Sequence, residues 1–306
     1  MNTSRRIIST IFTIIAVLCA LVAGVVTIQN YINSQQSANA MDELRASVTT
    51  TEVPSSSEVS TTNEAGVPST EPSTETLTEV NTEEPTTVAS TEELIVAIEN
   101  PYQDIFLQND DMVAWIQIPD TKIDYPVMWT PEDENYYLYR AFDGSEDKNG
   151  SLILDTDSSL EPLTTNLIIH GHNMKSGAMF GDLTDYEDAT YYDNHKYISL
   201  YTEECERRYE ILAVFRSQVY RKSDQVFKFY KFFQADTQEE FDDFYQNIKD
   251  LSLYDTGVTA EFGDHFLTLS TCVYHVENGR FVVVAKEIEN GDAYLPIQEQ
   301  TTMNTN

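Results

Sequence analysis

The stretch His265–Ile288, HFLTLSTCVYHVENGRFVVVAKEI, holds two strand-like runs, His265–Thr271 and Arg280–Ile288, joined by a turn. The first run ends on Thr268-Leu269-Ser270-Thr271-Cys272, which presents a single thiol at a strand end, and Arg280 opens the second. A covalent catalyst puts its nucleophile in such a place.

Upstream, Asn166–Asp182 reads NLIIHGHNMKSGAMFGD: a buried-type strand delivers two histidines around a glycine and passes into a Gly-containing turn. If these strand ends converge, a thiol, an imidazole and a fixed cation meet. That set is sufficient for acyl transfer, which needs a thiolate to attack, a proton for the departing amine and a donor for the tetrahedral oxygen.

Further strands are expected at Val113–Ile118, Lys122–Met128, Ser151–Asp155, Asn166–His170, Tyr197–Tyr201 and Tyr209–Val219. Eight such segments suggest a closed barrel or a sandwich. Two helices interrupt them. One covers Thr91–Glu99, extending towards Leu107, and the other starts at Thr237, whose hydroxyl caps while Glu240 reaches back. Phe241, Phe244, Tyr245 and Ile248 then share one helix face and read as core contacts.

The first hundred residues are unlike the rest. Ile7–Ile28 is a run of 22 residues without a charge, enough to cross the ~30 Å hydrocarbon layer as a helix. Arg5 and Arg6 precede it and no acid occurs before Asp42, which keeps the N-terminus in the cytoplasm and sends the remainder outside. A cleaved signal peptide ending at Ala38-Asn39-Ala40 is the competing reading, and it exports the same domain. Residues 34–93 are dominated by Ser, Thr, Glu and Pro and cannot bury enough apolar area to offset chain ordering. The expected organisation is a cytoplasmic N-terminus and transmembrane anchor over 1–33, a disordered linker over 34–93, a catalytic domain over 94–290 and a flexible tail over 291–306.

The net charge of −33 leaves no basic footprint for phosphates, so nucleic acid is not an expected partner. The three cysteines are Cys19 in the apolar run, Cys205 in a polar stretch and Cys272. A Cys205–Cys272 disulfide is the bland alternative to a nucleophilic Cys272.

TLSTC followed by an Arg, IIHGHNM upstream and WIQIPDTKIDYPVMW at Trp115–Trp129 together resemble the sortases, specifically class B, over about Asn109–Ile288. The resemblance implies a mainly β fold: a closed eight-stranded barrel with an N-terminal helix and one inserted helix, a membrane anchor and exposure on Gram-positive cells. It implies that Cys272 is the nucleophile, His172 the proton donor and acceptor, and Arg280 the stabiliser of the substrate carbonyl or its oxyanion. Ser270 and His170 fall on the implied peptide-binding surface, and His170 stands where relatives commonly carry Tyr, which removes any contact made by a ring hydroxyl. The eight-residue interval from Cys272 to Arg280 is short beside some relatives and implies a tighter Val273–Gly279 loop.

The implied reaction cleaves a C-terminal sorting motif of an exported protein through a Cys thioester and passes the acyl group to an amine of a peptidoglycan precursor or a pilin Lys. No cofactor is implied. Two alternatives stand beside it: a cysteine endopeptidase that only hydrolyses, and a zinc-binding module using His170, His172, Cys272 and His275.

Overall fold

The computed structural model describes residues 3–48 and 99–291. Helix α1, Thr3–Ala46, is long and apolar enough to cross a bilayer, with a mean hydropathy of 2.1 over its most apolar window. The linker start expected at residue 34 is corrected, because α1 continues unbroken to Ala46. Residues 34–46 are rich in helix formers such as Gln, Ala, Met, Glu and Leu, and they gain a packing partner. Met41, Leu44 and Val48 lie against the barrel, and Arg45 donates from Nε (2.9 Å) and Nη2 (2.8 Å) to the Asp124 carbonyl. The linker from 49 to 93 and the tail from 292 lie outside the described residues.

Residues 99–107 of the expected N-terminal domain helix are only partly helical. Its first part, 91–98, lies outside the described residues, and the rest is a single turn, α2, at Gln103–Phe106. Pro101 accounts for this, since a proline disfavours helix in the residue before it. Asn100 there is buried and donates to the Thr202 carbonyl at 3.0 Å.

Eight strands follow: β1 Met112–Gln117, β2 Asp124–Met128, β3 Leu152–Leu154, β4 Asn166–Gly171, β5 Tyr197–Tyr201, β6 Glu206–Gln218, β7 Phe266–Cys272 and β8 Gly279–Asn290. They close into a barrel in the order β1-β2-β3-β4-β7-β8-β6-β5, with β5 returning to β1. The β2–β3 and β4–β7 pairs are parallel and the others antiparallel. The expected closed barrel is therefore present. A short helix, α3 (Ala189–Asn194), had no counterpart among the expected elements.

Alternation along the strands sorts two cores. Leu167, Ile169, Leu267, Leu269, Val283 and Ala285 fill the barrel interior. Phe266, Val282 and Val284 face outward, where the inserted helix α4 (Gln238–Leu251) covers them with Phe241, Phe244 and Ile248. Full burial of each such side chain contributes roughly 1.5–3 kcal/mol. The Thr237–Glu240 capping box forms as its spacing predicts.

Candidate active site

The same alternation places the chemistry. On β7 the interior takes Leu267 and Leu269, so Thr268, Ser270 and Cys272 belong to the outer face. In the parallel β4–β7 pair His170 lies opposite Ser270 and Gly171 opposite Thr271, so the next residue of each chain is His172 beside Cys272. In the antiparallel β7–β8 pair Cys272 lies directly opposite Arg280. Three distant segments thus bring His172, Cys272 and Arg280 to one end of the barrel's outer wall.

Local bonds hold this end together. The Thr271 hydroxyl donates to the Gly171 carbonyl at 2.7 Å, and the Asn173 amide donates to the Cys272 carbonyl at 3.0 Å. Gly171 needs its missing side chain, since a Cβ there would meet Leu152 Cδ2 at 2.5 Å and Phe180 Cδ2 at 2.6 Å. The turn closes through Phe180 N–H donating to the His172 carbonyl at 3.0 Å.

His172 Nε2 lies 2.8 Å from the Leu138 carbonyl oxygen. A carbonyl only accepts, so Nε2 carries the hydrogen and Nδ1 is the ring nitrogen left for other partners. The exposed ring of Tyr139 sits 5.3 Å from the imidazole, centroid to centroid. Arg280 Nη1 donates to the carbonyls of Asn278 (3.3 Å) and Gly279 (3.0 Å), which braces the guanidinium against its own loop.

Cys272 is partly exposed and, like Cys205, is a free thiol, so the alternative disulfide is not formed. The four-ligand zinc set is not assembled either. Among the described residues no three His, Cys, Asp or Glu side chains are grouped to hold a metal ion, and His170 is engaged elsewhere.

His170 Nε2 pairs with Asp155 Oδ2 at 3.0 Å. Burial would raise the Asp155 carboxyl, but hydrogen bonds from His170 and the Asp157 backbone, with the charges of His170 and Lys231, more than offset it and hold the group below its ordinary value. Beside His170 in the register, the Ser270 hydroxyl is buried and has no hydrogen-bond partner among the described residues. Two further histidines bond to backbone elsewhere: His195 Nδ1 lies 2.8 Å from the Tyr191 carbonyl and His265 Nδ1 3.2 Å from the Thr164 carbonyl.

A family model, the sortase domain, matches residues 116–288. The chain belongs to the sortase family. Sortase B of Listeria monocytogenes is 33% identical over 207 residues, covering 66% of this chain and 79% of that protein. The sortase B–substrate complex of Staphylococcus aureus is similar in structure, with 26% identity and a TM-score of 0.56 over 63% of this chain and 87% of that one. A sortase B complexed with triglycine matches with 25% identity and a TM-score of 0.56, over 63% and 87% of the two chains. The resemblance to class B read from the motifs is thereby confirmed, and membership places this sortase among cysteine transpeptidases that cleave sorting signals.

Three neighbours of the site escaped the sequence reading. Asn173 stood inside the quoted GHN motif and could have been flagged there. Asp155 ends a predicted strand, but nothing local links it to His170, fifteen residues on. Leu138 acts through its backbone carbonyl, which leaves no trace in residue type.

Proposed function

We propose that this sortase is a membrane-anchored transpeptidase in which Cys272 is the nucleophile, His172 moves the proton and Arg280 stabilises the oxyanion. The observation that carries the reading is the register: Cys272 lies opposite Arg280 on β8 and one step past the Gly171–Thr271 pair that leads β4 to His172.

His172 Nδ1 takes the Cys272 thiol proton as the sulfur attacks the carbonyl carbon of the scissile peptide bond, and the carbonyl π pair moves onto oxygen. Arg280 faces that charge. A guanidinium has five N–H donors, so bracing Nη1 on the loop leaves others for the oxyanion. Collapse re-forms the carbonyl and breaks the C–N bond, with the amine taking a proton from His172 Nδ1. An incoming amine attacks the thioester, gives its proton to His172 and expels the thiolate. Water in place of that amine is the hydrolytic alternative.

The expected substrate is the C-terminal sorting motif of an exported protein, and the acceptor an amine of a peptidoglycan precursor or a pilin Lys. The substrate complex of a related sortase B and the triglycine held in another sortase B structure support this pairing. Ser270, whose hydroxyl has no partner among the described residues, and His170 line the wall on which the peptide lies. Residues 7–28 anchor the chain as a single span, with the barrel outside the cell.

The test incubates the full chain in detergent micelles with a panel of sorting-motif peptides and looks for the thioester by mass spectrometry. An adduct on Cys272, absent in Cys272→Ala and released by added amine as the amide product, is expected. Turnover by Cys272→Ala refutes the nucleophile, and product unchanged by amine supports the hydrolytic alternative.

A further inference from the structure

The imidazole of His172 is oriented by a carbonyl from a distant loop, and that carbonyl has its own support. Leu138 lies in a 3-10 turn, Tyr136–Tyr139, packed beside β3. Tyr137 anchors the turn: burial pushes its phenol up to about 12, against a lowering hydrogen bond from Asn109 and with a further rise from Asp111, and its hydroxyl donates to Asp111 at 2.9 Å. The carbonyls flanking Leu138 are both committed. Ser151 N–H donates to the Tyr137 oxygen at 3.0 Å and Asp147 N–H to the Tyr139 oxygen at 2.9 Å. One further carbonyl along, Arg140 accepts from the Ser151 hydroxyl at 2.9 Å. The Leu138 oxygen, between them, is the one aimed at His172.

The strand of chain that ties these carbonyls down also presses on the Leu138 peptide. Gly150 has φ +62, and a Cβ placed on it would lie 2.2 Å from the Leu138 oxygen, 2.8 Å from the Leu138 carbonyl carbon and 3.1 Å from the Tyr137 oxygen. Cβ contacts under 3.0 Å force something to shift, and here the obstacle is backbone whose neighbours are already bonded.

We infer that Gly150 is a positioning residue for acyl transfer: by leaving room for the Leu138 carbonyl, it fixes the tautomer and orientation of His172. This rests on the role of His172 given above. Any side chain at 150 displaces the carbonyl by roughly 1 Å, and a misplacement of that size in a catalytic group costs on the order of a hundredfold in rate. Nε2 then loses its acceptor, and Nδ1 is no longer held as the bare nitrogen that serves the thiol and the amine. Peptide binding on the β4–β7 wall is not touched, so kcat falls while KM holds.

The experiment compares Gly150→Ala with Gly144→Ala in the full chain. Gly144 has φ +79 in the same loop, but a Cβ there meets nothing nearer than the Tyr136 hydroxyl at 3.7 Å, so it carries the backbone strain without the collision. A kcat loss on the order of a hundredfold in Gly150→Ala, with KM within about twofold, is expected, against near wild-type kinetics in Gly144→Ala. Nitrogen-15 spectra of the neutral His172 ring read the cause directly: the Nε2–H tautomer in the wild type and a mixture in Gly150→Ala. Predominance of the Nδ1–H tautomer in the wild type overturns the inference whether or not the variant folds. If His172→Ala is inactive while Gly150→Ala keeps wild-type kcat and tautomer, the positioning role alone falls. If His172→Ala turns over normally, the role of His172 falls and this one with it.

Discussion

Replacing Arg280 tests the proposed site most sharply, because uniform binding and transition-state stabilisation predict different kinetics. The Cα of Arg280 stands directly opposite that of Cys272 in an antiparallel pair, so the two are about 4.5–5.5 Å apart and their side chains share the outer face. The guanidinium is braced by the carbonyls of Asn278 and Gly279, at 3.3 and 3.0 Å, and therefore needs little reorganisation when charge appears on the substrate oxygen. Loss of one preorganised oxyanion donor costs about 2.7–4 kcal/mol, or roughly 10²–10³ in kcat. Arg280→Ala is expected to show that loss, and Arg280→Lys a smaller one, since a lysine keeps the charge but cannot both brace on the loop and reach the oxygen in a fixed fork. The assay is steady-state turnover of a sorting peptide, with kcat and KM separated and thioester formation followed in a single turnover. Because the thiol and imidazole remain, binding should survive while the acylation step slows. A rise in KM with kcat unchanged would mean that Arg280 only holds the peptide, and the oxyanion role would be refuted.

Asp155→Asn removes a carboxylate whose folded-state value lies below its unfolded one, so the stability it contributes is present above the ordinary carboxylate range and is lost as pH falls through the depressed folded value. Thermal melts of the wild type and this variant should therefore differ at pH 7 and converge in strong acid; a constant gap down to low pH contradicts the linkage. Thr237→Ala breaks the capping box of α4 and should cost about 1 kcal/mol, lowering Tm by roughly 2–4 °C, and an unchanged melt would show that packing of Phe241 and Phe244 alone sets the helix. Arg45→Ala removes the hydrogen bonds to the Asp124 carbonyl and the contact with the Tyr125 ring at 4.7 Å. Amide exchange should accelerate over residues 41–48 and stay unchanged in β7 and β8, whereas equal protection in both proteins would mean that Met41, Leu44 and Val48 hold the helix end unaided.

Much of this was legible in the chain. Period-two patterning in His265–Thr271 and Arg280–Ile288 is a local property of buried strands, and the Thr237–Glu240 box is a contact between residues three apart, so both are readable without a fold. Composition alone marks residues 34–46 as linker, whereas the surface they pack against includes β2, where Arg45 bonds to Asp124, 79 residues on. Within the helix expected towards Leu107, residues 99–102 are not helical, because Pro101 disfavours helix at Asn100, and a single turn forms at Gln103–Phe106.

Residue type and spacing determined the identity of the reactive groups: a thiol after a β-strand, an imidazole after another, and a guanidinium opening a third. They could not determine which strands are neighbours, because pairing β4 with β7 across a hundred residues depends on barrel closure and not on anything near His172 or Cys272. Tertiary structure also decided which ring nitrogen of His172 is free, through a Leu138 oxygen that every residue type carries alike and that only the path of the backbone can aim.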